Sequence, residues 1–294
     1  MTQALRGHLA MLLFSFIVAG SFSLGALAAP FIAPAALNAL RFVIAAVLVG
    51  VVALATTGID RSALRAPWRY LLMGGVFGTY FVLMFQGLKT ADPVAAAAVF
   101  TLVPVMAAVF GWLLLRQRTT GRMIGALAIG ATGAMWVIFR GDLAAFLRFQ
   151  IGHGEWIYFW GCVAHALYTP LVPRLNRGEP PVVFTFGMLC GAVVMVGAYG
   201  FGDILGTDWL ALPGIVWITI LYIAVLSSAV SFVLMQYASL RLPSAKVMAY
   251  TYLVPSWVIL WEAGWGRGLP PPFILLGVAI TILALVLLLK DEHA

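Results

Sequence analysis

Residues 93–115 read PVAAAAVFTLVPVMAAVFGWLLL, twenty-three residues without a charge, opened by Pro93 and followed at once by Arg116 and Arg118. At 1.5 Å per residue such a helix rises about 35 Å, and the hydrocarbon of a bilayer takes roughly 20 apolar residues to cross. The rest of the chain is built alike. Of its 294 residues 63% are hydrophobic and only 9% charged, against about 25% charged in a soluble domain, and the mean hydropathy is +1.05. A globule of this size has too little interior to hide that much apolar surface from water. A soluble enzyme, a disordered tail and a nucleic-acid binder are therefore excluded, and the net charge of +7 is read as membrane topology.

Working outward from that run, hydropathy predicts ten spanning helices, over residues 8–28, 33–55, 68–88, 93–115, 121–139, 154–172, 181–200, 213–240, 243–264 and 272–290. Pro30, Pro34, Pro67, Pro93, Pro181, Pro213, Pro243 and Pro272 stand between or at the start of these runs, where a missing N–H costs little. With the N-terminus in the cytoplasm, twelve cationic side chains fall inside (Arg6, Arg61, Arg65, Arg69, Arg116, Arg118, Arg122, Arg174, Arg177, Arg241, Lys246, Lys290) and four outside (Lys89, Arg140, Arg148, Arg267). This bias puts both termini in the cytoplasm. The first run follows a short basic start with no small-residue cleavage site, so it is expected to be retained as a helix. Cys162 and Cys190 sit singly in apolar runs and read as packing residues.

Shifting the chain on itself by 151 residues lays Phe81-Val82-Leu83-Met84 on Phe232-Val233-Leu234-Met235 and Leu102-Val103-Pro104 on Leu253-Val254-Pro255. The register pairs the third span with the eighth and the fourth with the ninth. That is the pairing of two duplicated halves, 1–145 and 146–294, with five helices each. Because five is odd, the halves enter the bilayer in opposite senses, which predicts an all-α polytopic protein of two inverted five-helix repeats, the architecture of secondary transporters with a solute site near the midplane. Small residues four apart (Gly74 and Gly78, Gly121 and Gly125, Ala126, Gly130 and Ala134, Gly187 and Gly191) predict close helix packing within the bundle, with a dimer seam as the other reading. The last span is nearly featureless and is expected to be peripheral.

The sequence has no GxxxxGK[ST], HExxH or GxSxG, and His8, His153, His165 and His293 are scattered, so neither catalysis, metal nor cofactor is expected. Attention passes to polar groups that lie in lipid at a cost of about 2.5–3.5 kcal/mol for a central charge. Arg41 is either a cation facing the pathway or an arginine bonded to carbonyls. Glu262 is either a proton-coupling or amine-binding acid or an interfacial glutamate paired with a cation. His165 either meets solute or packs as a neutral imidazole. Pro104 and Pro255, superposed by the repeat, predict matched mid-helix kinks that shape a cavity. Tyr80, Tyr168, Ser231, Tyr250, Thr251 and Trp257 complete the proposed wall with His165, and Gln86, Gln236, Ser227, Trp156, Trp160 and Trp261 are nearby polar or aromatic groups on the same spans. Such a wall suits a small polar solute with an apolar part.

The motif Arg41-Phe42-Val43-Ile44-Ala45 and the segment GLKTADPVAAAAVFTLVPVMAAVFGWLLLRQRTTGRMIGALAIGATG resemble the drug/metabolite transporter superfamily with EamA-type halves, within it most closely the aromatic amino acid exporters. The resemblance implies ten helices in inverted repeats and export of small metabolites across the bacterial inner membrane, with amino acids, aromatic ones included, as substrates. That family usually has a glutamate thirteen residues past the fourth-helix proline. Here the position is Gln117, with Gly268 as its counterpart, so that role is not carried over and Glu262 is not promoted into it. The chain is read as competent as a monomer, a dimer being the alternative, with the lipid bilayer and a small-molecule solute as its partners. Efflux of nucleosides, polyamines or drugs, and a lipid-handling or assembly role without transport, are the competing readings.

Overall fold

Proline and short polar caps start most of the helices. Pro34, Pro93, Pro181 and Pro272 occupy first-turn positions where no N–H is needed. Asp92 accepts from the Val94 and Ala95 amides, and Thr120 from the Met123 amide. The structure, a computed structural model, describes residues 3–148 and 150–290; His293 lies outside them. Its helices are α1 (Gln3–Ala28), α2 (Pro34–Thr56), α3 (Trp68–Gly87), α4 (Pro93–Phe100), α5 (Val103–Leu115), α6 (Gly121–Ile138), the short α7 (Leu143–Leu147), α8 (His153–Leu175), α9 (Pro181–Tyr199), the short α10 (Phe201–Gly206), α11 (Gly214–Ala224), α12 (Ser231–Ser239), α13 (Ser244–Ala249), α14 (Val254–Gly264) and α15 (Pro272–Leu289), with no strand among the described residues.

Among the described residues eight helical runs are long and apolar enough to cross a membrane: Leu5–Ala28, Pro34–Thr56, Trp68–Gly87, Pro93–Leu115, Gly121–Ile138, Pro181–Tyr199, Gly214–Ser239 and Pro272–Leu289. Two of the ten expected spans fall short of that measure for visible reasons. One is α8, which carries Glu155, His165, Pro170 and Pro173. The other is residues 243–264, broken into α13, a 3₁₀ turn at Tyr250–Leu253 and α14.

Neither proline of the superposed pair bends a continuous helix. Before Pro104 the chain stops at Thr101 and Leu102, whose amides reach back three residues to Ala98 and Val99, and Pro104 then lies in the first turn of α5. Before Pro255 it tightens into the 3₁₀ turn, and Pro255 opens α14. The expected kinks are thus stops and restarts, which put each proline where its missing donor is free of cost. A third interruption was not foreseen: Val225–Val230 is a π-helical turn between α11 and α12.

In the bundle α3 packs against α8 and α9, α2 against α9, α1 against α11, α12 and α14, and α6 against α15. Two of the small-residue pairs meet each other. A Cβ on Gly74 would overlap the Ala192 amide, and one on Gly191 the Tyr70 carbonyl, so the backbones of α3 and α9 touch. A Cβ on Gly125 meets nothing within 4 Å. The peripheral placement of α15 follows its composition, only 33% of it being buried.

Where α3 begins, Arg69 forms a 2.7 Å ion pair with Glu179, both side chains buried, and donates to the Leu175 carbonyl at the end of α8 (2.6 Å). Burial raises the Glu179 carboxyl, but the Arg69 hydrogen bond and the Arg177 amide outweigh it and hold the group below its ordinary 4.5.

Two outcomes follow for detergent-solubilised protein. Gly191→Leu is expected to lower the melting temperature through overpacking worth about 1–3 kcal/mol, with Gly125→Leu unchanged; equal melting of the two variants would contradict the contact. Because the folded Glu179 value is depressed, its contribution is complete above pH 4.5 and is lost as pH falls through the lowered value. Glu179→Gln should therefore destabilise by about 3 kcal/mol at neutral pH and flatten the acid limb of a melting-temperature profile.

Candidate functional site

On α3 the spacing of Phe77, Tyr80 and Phe81 puts three rings on one face, and that face meets α8. His165 of α8 lies 4.4 Å from the Tyr80 ring, 5.1 Å from Phe100 of α4 and 5.2 Å from Phe77. Tyr168 lies 4.3 Å from Phe77, and Phe232 of α12 closes the cluster at 4.6 Å from the same ring. The Tyr80 and Tyr158 hydroxyls are 3.1 Å apart. This aromatic cage is buried throughout.

Within it polar atoms lack partners. Both ring nitrogens of His165 are unbonded, as is the Thr169 hydroxyl one turn further on. Gln236 of α12 donates through Nε2 to the Tyr168 hydroxyl at 2.6 Å, while its Oε1 has no partner. Nearly all buried polar groups in folded proteins are bonded, and each that is not costs about 1–3 kcal/mol. Four such atoms fall on His165, on Thr169 one turn along the same helix, and on Gln236, which is bonded to Tyr168.

Arg41 stands beside the cage with its guanidinium 3.8 Å from the centre of the Phe81 ring. It is fully buried. Its Nε and Nη2 donate to the Ser228 hydroxyl (3.0 and 2.8 Å), Nη2 also to the Ser227 carbonyl (3.3 Å), and Nη1 to Asn38 Oδ1 (3.2 Å). The π turn makes this possible, since its wider winding turns a carbonyl and a hydroxyl toward α2. Ser228 in turn donates to the Ile223 carbonyl five residues back (2.7 Å). Ser231 donates to the same Ser227 carbonyl (2.8 Å). The two ion pairs among the described residues involve Arg69 and Arg267, so the Arg41 charge is met by neutral acceptors and ring faces alone.

Of the residues singled out from sequence, Tyr80, His165 and Tyr168 come together in the cage, and Ser231 lies in the π-turn network that holds Arg41. Tyr250 and Trp257 lie elsewhere. The Tyr250 ring is 6.0 Å from that of His8, and Trp257 donates to the Ser15 hydroxyl (3.3 Å) and packs edge-on to the half-exposed Phe16 at 5.4 Å. Thr251 is buried with its hydroxyl unbonded. Glu262 pairs with Arg267 at 2.7 Å and lines, with Asp92 and Arg140, a cleft of about 400 Å³ at the end of the bundle where α14 stops and α15 starts. Gln117, standing where a glutamate was looked for, accepts from the Ser244 amide at the start of α13 (3.2 Å). Phe77, Phe100, Tyr158 and Thr169 were not anticipated; the 77/80/81 spacing and the one-turn offset of Thr169 from His165 were the available signals.

The EamA-like transporter family matches residues 5–139 and 153–290. This chain is a member of the EamA-like transporter family. It is therefore a polytopic membrane transporter and not an enzyme. Across 95% of its length it is 26% identical to "Uncharacterized transporter YyaM" of Bacillus subtilis, covering 92% of that protein. Over 86% of its length it is 25% identical to the "Probable terminal-alkyne amino-acid exporter" of Streptantibioticus cattleyicolor, covering 83% of it. A solved crystal structure superposes with a TM-score of 0.73 at 21% identity, covering 99% of each chain, which is a likeness of fold.

Replacing Arg41 by Lys keeps the charge but removes the planar fork that serves Ser228 and Asn38 together. Arg41→Lys is expected to cost about 1–3 kcal/mol of stability, read as a lower melting temperature in detergent; an unchanged transition would show that the π turn does not depend on the guanidinium.

Proposed function

We propose that this EamA-like transporter exports small metabolites, amino acids with aromatic ones among them, by alternating access through a central cavity between two inverted five-helix repeats. The observation that carries the site is His165, buried in an aromatic cage with both ring nitrogens unbonded. Aromatic faces would take the apolar part of the solute, and the imidazole, the Tyr80 and Tyr168 hydroxyls and Thr169 its polar part.

Three independent features support the repeat. The two family matches, 5–139 and 153–290, divide the chain near residue 145. The breaks before Pro104 and Pro255 fall at positions that the 151-residue shift superposes. The packing is exchanged in the same way, α3 lying against α8 while α11 and α12, its counterparts, lie against α1. Counting the fourth, sixth, eighth and ninth spans as single interrupted or polar helices gives ten crossings. The cationic bias then orients both termini to the cytoplasm of a bacterial inner membrane. A single chain contains the whole cage, so a monomer suffices.

Proteoliposomes loaded in parallel with labelled amino acids, nucleosides and polyamines, with and without a pH gradient, test the reading. Aromatic amino acids should be carried, and His165→Leu should reduce their flux about tenfold while the protein still inserts. Trp257→Ala and Tyr250→Ala, assigned to the solute wall from sequence but placed outside the cage, measure how far the wall extends: depressed flux would carry it to these two residues, and full activity in both would remove them from the site. Carriage of no amino acid by the unaltered protein would overturn the proposal.

A further inference from the structure

The cage has a polarity that its rings alone do not explain. Gln236 reaches it from α12, one turn beyond Phe232, and is fully buried. Its Nε2 is committed to Tyr168, which leaves Oε1 as an acceptor with nothing to accept. Next to it, Tyr168 already accepts that bond, so its own proton is available as a donor. An acceptor and a donor side by side, over ring faces that attract a cation, match an ammonium beside a carboxylate.

The surrounding charges agree. The two acidic side chains that come closest to burial, Glu179 and Glu262, are both held in ion pairs at opposite ends of the bundle. Arg41 places a positive charge one ring away, behind Phe81. In a medium of low dielectric that charge favours a solute carrying a carboxylate and opposes one that is only a cation.

We infer that Gln236 is a specificity-determining residue which reads the amino group of a zwitterionic aromatic solute through Oε1, in a site that rejects solutes carrying only a positive charge. The inference rests on the transport reading above and deepens it. Tyr168 takes up only the amide N–H, and Oε1 makes the discriminating contact.

The test uses the full chain in proteoliposomes with phenylalanine, 3-phenylpropionate, which lacks the amine, and phenethylamine, which lacks the carboxylate. The unaltered protein should prefer phenylalanine to 3-phenylpropionate by about tenfold or more, the value of one buried hydrogen bond to a charged donor. Gln236→Leu should collapse that preference while 3-phenylpropionate flux persists, and Tyr168→Phe, which leaves Oε1 in the cage, should keep it. Gln236→Glu, close to isosteric, should admit phenethylamine about tenfold better than the unaltered protein does. The inference is overturned if Gln236→Leu retains the preference, if Tyr168→Phe loses it to the same extent, or if Gln236→Glu leaves phenethylamine excluded. If the unaltered protein carries phenylalanine without discriminating it from 3-phenylpropionate, the role of Gln236 fails and transport stands; if it carries none of the three, both fail.

Discussion

Hydrocarbon offers a polar group no partner, and every unusual feature of this bundle is an answer to that constraint. A helix satisfies its own backbone, so most of the chain can be plain apolar helix. Wherever the helix is interrupted, the freed groups must be met by protein. At Thr101 the hydroxyl closes back on the Ala98 carbonyl, and at the π turn the loosened Ser227 carbonyl is taken up by Arg41 and Ser231. The buried guanidinium and the widened turn each supply what the other lacks. By the same logic the unbonded nitrogens of His165 and the free oxygen of Gln236 are conspicuous, for here the protein leaves the answer to something else.

Much of the helix layout was legible in the sequence because its causes are local. Proline, capping side chains and clustered arginines act within a few residues, and the limits of α2, α4 to α6, α9 and α15 follow them closely. The π turn was invisible for the opposite reason. Nothing in VLSSAV demands an extra residue per turn; its partner Arg41 lies 187 residues away from Ser228 in the chain, and only tertiary packing joins them. Spacing likewise told which residues share a face but not what that face meets. His165 and Tyr168 on α8 turn toward α3, whereas the aromatic stripe of α14 turns Trp257 toward α1 and the half-exposed Phe16. Two faces that look alike as patterns thus end in different surroundings.

Charge in this protein is sorted by depth. At the ends of the bundle arginines meet carboxylates, the buried Arg69 with Glu179 and the half-exposed Arg267 with Glu262. In the middle the one arginine beside the cage meets serine oxygens, an asparagine and ring faces. A carboxylate there would neutralise it; with neutral partners the charge is left uncancelled inside the bundle. Membership of the EamA-like transporter family gives that sorting a use, since a carrier's interior must hold its cargo weakly enough to release it.

The contact between Gly74 and Gly191 has a mechanical corollary. Two backbones that touch leave no room for a side chain to enter between them. The Arg69–Glu179 pair ties α3 to the chain that leads into α9 only a few turns away. α3 and α9 are therefore pinned together at two points, although five helices of the chain lie between them.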